Sequence, residues 1–217
     1  MLNADCRMSN NVRNKVVWGG RLKAGIALAV SIPALVVIAS CGEAVSTGQS
    51  PAYLQLLSLE GAKGGGPNAG AFGASLPSDV LTLVPAKTGT PTVFADNGQA
   101  TLQLVMKDNT LSPSPANAVT LTQYHVKYTR ADGHNVQGVD VPYEFDGVLT
   151  LTISNSGTVA FTLVRVQAKQ EAPLAALVNN PGVISTIAEV TFYGHDQNGR
   201  AVNVSGQLTI DFSDWGD

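Results

Sequence analysis

Cysteine is almost missing: 217 residues hold only Cys6 and Cys41. No disulfide can staple the chain beyond Cys41, so stability there must come from an apolar core. Charged side chains make up 13% of residues and aromatics 6%, and Trp215 is the only tryptophan after Trp18. So few aromatics leave little material for a sugar-binding platform. Common catalytic signatures are missing too. No Gly-x-Ser-x-Gly, His-Glu-x-x-His or Cys-x-x-Cys occurs, so the familiar serine-hydrolase, zinc-protease and redox motifs are excluded. The run Gly64-Gly65-Gly66 lacks the Gly-Lys-Ser/Thr ending of a phosphate loop.

What is present divides the chain in two. Arg7, Arg13, Lys15, Arg21 and Lys23 crowd the start, and the stretch from residue 24 to 42 carries no charge. Of the 13 Lys/Arg residues five precede Cys41, and of the 16 Asp/Glu residues only Asp5 does, which leaves 8 against 15 and a net charge of −7 beyond it. An acidic surface repels phosphate backbones, so nucleic acid is not an expected partner.

A basic segment, an apolar segment and then small residues before a cysteine form the layout of an export signal. Ile38-Ala39-Ser40-Cys41 resembles the bacterial lipobox. That resemblance implies cleavage before Cys41, a diacylglycerol thioether on its sulfur and an acylated amine. Two or three chains give a stable anchor, since each buried CH2 contributes about 0.8 kcal/mol. The competing reading is a retained membrane helix, because the uncharged stretch approaches the ~20 residues needed to span hydrocarbon. Pro33 in mid-segment and the terminal Cys41 argue for the signal, and Met8 offers a start that would give it ordinary length. Gly42, where inner-membrane retention uses Asp, implies the outer membrane. The expected organisation is a helical signal over 1–40, a tether over 41–51 and one domain over 52–217.

Within that domain, Thr, Val, Gly, Ala and Asn abound, which suits strands and turns more than helices. Apolar and polar side chains alternate over 53–59, 99–107, 119–130 and 200–212, and further strands are expected at 79–84, 136–141, 148–153, 159–168 and 184–194. One wet face per strand predicts antiparallel sheets, here an all-β sandwich of about 7–9 strands. Asp132-Gly133 and Asn198-Gly199 supply the positive φ of tight hairpins, and Asp96-Asn97-Gly98 is a third turn signal. Residues 61–77 read as a mobile low-complexity loop, and 173–178 as a short helix opened by Pro173.

Tyr124-x-Val126-x-Tyr128 before a turn, and the closing pair from Ala188 through Phe192 and Asn198-Gly199 to Phe212, resemble immunoglobulin-like domains, fibronectin type III included. The resemblance implies that sandwich without the core cysteines and core tryptophan of the antibody type. Asp132-Gly133-His134-Asn135 with Gly138-Val139-Asp140-Val141-Pro142-Tyr143 is similar to phrases in an uncharacterised family of exported bacterial proteins, which implies no activity.

Candidate chemistry is confined to a few clusters. Asp140, Glu144 and Asp146 lie within seven residues and offer hard oxygen ligands for calcium, although no EF-hand spacing is present. The same Glu144 and Asp146 are the carboxyl pair of a carbohydrate-active hydrolase if they converge in a cleft. His134 and His195 with Asp132 and Asp196 form a transition-metal set only if the two turns meet. His125 reads as solvated surface, and Asp211, Asp214 and Asp217 around Trp215 read either as calcium ligands or as a solvated acidic surface, with Trp215 covering one end. Gly64, Gly65 and Gly66 form a candidate binding loop. No cofactor besides the lipid is expected. The leading expectation is a lipid-anchored, non-enzymatic envelope protein that docks another protein or a polysaccharide, with calcium-stabilised adhesion and hydrolysis as alternatives.

Overall fold

A computed structural model describes residues 50–216. The lipobox Ile38-Ala39-Ser40 and Cys41, the signal and most of the tether lie outside the described residues. The described part is all-β. One sheet has the order β1 (Ala52–Ala62), β5 (Asp96–Met106), β8 (Ser156–Val164), with both pairings antiparallel. The other runs β2 (Ser75–Asp79), β10 (Ala201–Ser213), β9 (Ile184–Asp196), β6 (Val119–Thr129), β7 (Phe145–Ile153). Only the β2–β10 pairing in it is parallel. A small ribbon joins β3 (Thr82–Val84) and β4 (Thr90–Thr92), and one short helix, α1 (Val166–Gln170), follows β8.

The period of two decides which side chains meet. Leu102 and Leu104 of the first sheet and Leu121, Tyr124, Val126, Val190, Phe192, Ile210 and Phe212 of the second enter one shared core. Polar partners such as Thr101, Gln103, Lys127 and Gln207 stay outside that buried set. Rings lock the two sheets together, with Phe161 of β8 at 5.1 Å from Tyr124 and 5.3 Å from Phe192. Hydrogen bonds cross as well: the Tyr128 hydroxyl donates to the Leu163 carbonyl at 2.6 Å, and the Thr162 N–H donates to the Tyr124 hydroxyl at 3.3 Å. Burial pushes the Tyr128 phenol well above its ordinary value, so it remains a donor.

Several expected elements differ. Residues 136–141 form no strand; Val139, Asp140 and Val141 all donate to the Val136 carbonyl, which coils the segment into a turn. Gly133 does adopt φ +84°, but the turn opens a long loop between the paired strands β6 and β7 instead of closing a tight hairpin. Asp96-Asn97-Gly98 lies inside β5, where the register shifts and accommodates the irregular residues. The strand expected over 159–168 stops at Val164, and α1 occupies its end. The expected helix at 173–178 is a single 3-10 turn, Leu174–Leu177, anchored by two buried leucines. Residues 61–77 are not merely a connector: Gly61 and Gly73 exchange two main-chain hydrogen bonds, and Ser75 begins β2.

The registers sort the loops by end. Ala52 opposes Met106, Val119 opposes both Ile153 and Asp196, and Ala201 opposes His195, so these residues share the end where the described chain enters at Ser50. A shallow depression of about 150 Å³ lined by Ser50, Ala52, Val202 and Asn203 joins the two sheets there. At the opposite end lie Ala62, Asp79, Asp96, Thr129, Phe145, Val164, Ile184 and Ser213. Connections at the entry end cover 107–118, 154–155 and 197–200, whereas the far end carries 63–74, 80–95, 130–144 and 165–183.

Candidate functional site

Beneath the far-end loops sits a buried polar network. Asp96 opens β5 and Lys169 lies in the last turn of α1; both side chains are 1% exposed, and the Lys169 ammonium lies 2.9 Å from each Asp96 oxygen. The Ser78 hydroxyl donates to Asp96 Oδ2 at 2.6 Å and the Gly64 N–H to Oδ1 at 3.0 Å, while Lys169 also donates to the Asp79 carbonyl at 2.7 Å. An ion pair in the interior survives only when its remaining lone pairs and protons are satisfied, and here they are. The adjoining Asp79 carboxylate accepts from Thr82 Oγ1 at 3.2 Å and from the Trp215 N–H at 3.2 Å, and the Trp215 indole donates to the Ser78 carbonyl. Five segments distant in sequence therefore meet on two carboxylates. The network's chemistry is positional: it gives the far-end loops a common footing.

The glycine run belongs to this footing. A Cβ on Gly64 would lie 1.9 Å from the Ala95 carbonyl oxygen, and one on Gly65 would lie 2.2 Å from the Phe94 ring. Gly66 takes φ +75°, a left-handed value that glycine adopts without strain. The segment is thus pressed against residues 94–95 through its bare backbone.

Above the footing, the far end exposes apolar side chains. Val136, Val139 (67% exposed), Tyr143 and Val183 stand in its loops, together with Phe72, Val84 and Trp215. They make up seven of the twelve exposed large apolar side chains among the described residues. The loop that carries three of them is held by its own polar groups. Asn135 Oδ1 accepts the Arg130 N–H, Asp132 Oδ1 accepts the His134 N–H, and Asp140 Oδ2 accepts the Val136 N–H at 3.0 Å. The Arg130 side chain beside it and the His134 N–H hold the Asp132 carboxyl below its usual range.

The acidic trio of the sequence is split by this geometry. Asp140 caps its own turn, whereas Glu144 and Asp146 flank His125 on the outer face of β6 and β7, at 3.7 Å and 2.8 Å. The Asp146 side chain is 84% exposed, so the carboxylate faces solvent. No group of three or more His, Cys, Asp or Glu able to hold a metal ion occurs among the described residues. His134 and His195 lie at opposite ends, one beyond Thr129 and the other opposite Thr120, because the length of β6 separates them. Asp196 closes β9 and its carboxylate holds the turn that follows: burial works to raise its carboxyl, but the N–H groups of Arg200 and Asn198, each at 2.9 Å, hold it below the ordinary value. Asp211 accepts from Ser185 and Asp214 from the Asn179 N–H, each at 2.6 Å, and Asp217 lies outside the described residues.

Lys169, Asp96 and Ser78 carried no signal in the sequence, since 73 residues separate Lys169 from Asp96 and no motif joins them. The chain matches no protein-family model, no curated protein and no solved structure.

Proposed function

We propose that the chain is a lipid-anchored, non-enzymatic protein of the bacterial cell envelope, fixed by acyl chains on Cys41 in the outer membrane, that docks another envelope protein or polymer. The observation that carries this reading is the polarity of the fold. The described chain enters at Ser50, and the long loops with most of the exposed apolar side chains lie at the other end. At no more than about 3.3 Å per residue the stretch between them keeps Ser50 within ~30 Å of Cys41, and the loop end is the end opposite this attachment. Binding residues concentrate on loops that a rigid scaffold positions, and the Asp96–Lys169 network supplies such rigidity. Two sheets over one core, with β1-β5-β8 in one and β10-β9-β6 in the other, support an immunoglobulin-like sandwich as that scaffold.

The test is photo-crosslinking in intact cells. A crosslinking side chain placed at Val139 is expected to give a discrete adduct, and one at Leu111, in the entry-end connection, none. Adducts from Leu111 alone, or from neither, would reject docking at the loop end.

A further inference from the structure

The two sheets end side by side in β7 and β8, and only β8 has edge groups taken by side chains. On β8 the Tyr124 and Tyr128 hydroxyls occupy the Thr162 N–H and the Leu163 carbonyl. β7 pairs with β6 alone, and no side chain among the described residues hydrogen-bonds to its main chain. Natural edges are commonly guarded by lysine or proline. Phe145–Ile153 contains neither, its only charge is Asp146, already held by His125, and Val148 is 84% exposed.

Arg165 lies beside the start of that edge. Its guanidinium carbon sits 4.4 Å over the Phe145 ring, its Nε is buried without an acceptor, and it has no ion pair among the described residues. A guanidinium is all donor and has a fork geometry that a carboxylate matches with two hydrogen bonds. An orphaned buried donor of this kind calls for an acceptor from outside.

We propose that the free edge of β7 receives an extended segment of another protein, and that a carboxylate on that segment pairs with Arg165. The inference deepens the docking role and rests on it. Main-chain hydrogen bonds to β7 supply attachment, and the carboxylate supplies selectivity. A strand laid along β7 passes the Phe145 ring, so its inward side chain there meets the guanidinium that lies over that ring. A second copy of this chain fits less well. Two β7 strands related by a two-fold axis at Leu149 would set Asp146 opposite Thr152, away from Arg165. They would also bring together the two stretches where the register shifts between Leu121 and Gln123.

The test uses the full chain in detergent and a display library of random nine-residue peptides. Sequences selected on the unaltered protein are expected to carry Asp or Glu at one fixed position. The strongest of them, made synthetically, binds Arg165→Gln at least tenfold more weakly. Replacing its acid by the amide weakens binding to the unaltered protein equally, but weakens binding to Arg165→Gln no further. Val148→Lys, at an exposed position, weakens every selected peptide, and hydrogen exchange slows at amides of residues 145–153. No enriched peptide, enrichment without a carboxylate, protection elsewhere, or self-association in place of peptide binding would each overturn it. None of these measurements depends on the lipid or on a crosslink at Val139, so failure of the docking test in cells stays distinguishable.

Discussion

Lys169 is the residue on which the far end turns. Removing one partner of a buried ion pair leaves the other charge desolvated and unpaired, which costs about 3–5 kcal/mol, more than any surface pair contributes. Lys169→Met is therefore expected to lower the urea midpoint of unfolding sharply, followed by circular dichroism. Combining it with Asp96→Leu restores part of the loss, because an apolar pair carries no desolvation penalty. An unchanged midpoint in Lys169→Met would mean that the pair is not buried as described. Asp96, with its ammonium, hydroxyl and amide donors, could not have been ranked above any other aspartate from the sequence. Asp140 spends one carboxylate oxygen on the Val136 N–H of its own turn, a role that its spacing in the sequence did not reveal.

Among the elements, the strands that alternate cleanly were the easiest to anticipate. β5, β6 and β10 present one apolar and one polar face, so periodicity alone locates them to within a few residues. The harder elements owe their form to neighbours. α1 interrupts what looks like a strand because Ala168 and Lys169 are drawn into the interior, and β4 is three residues long with no periodicity to detect. The glycine run is the clearest case. A low-complexity stretch suggests mobility, but its glycines are there for close approach, and only the position of Ala95 and Phe94 reveals it. Gly64→Ala is accordingly expected to displace residues 63–74, reducing the melting temperature and speeding hydrogen exchange there. Gly70→Ala gains no clash, since nothing lies within 4 Å of its added carbon, and tests only the φ of +77°. Equal exchange rates in the Gly64→Ala and unaltered proteins would show that the loop is not packed.

At the level of the whole molecule, the proposed anchor and the proposed docking surface fall on separate stretches of one chain. Cys41→Ser is expected to release the protein from the membrane fraction while leaving the melting temperature of the β unit unchanged, because among the described residues the core begins at Ala52. Retention in the membrane fraction would point to a spanning helix instead of a lipid. The reliance on an apolar core without disulfides and the strand-rich class followed from the sequence alone, because a cysteine count and a period of two are local properties; the proposed address rests on a local motif in the same way. Which end carries the loops, which edge stays open and which lysine meets which aspartate were decided only by the tertiary structure. Register and sheet order bring together residues tens of positions apart, and no local pattern records which of them will meet.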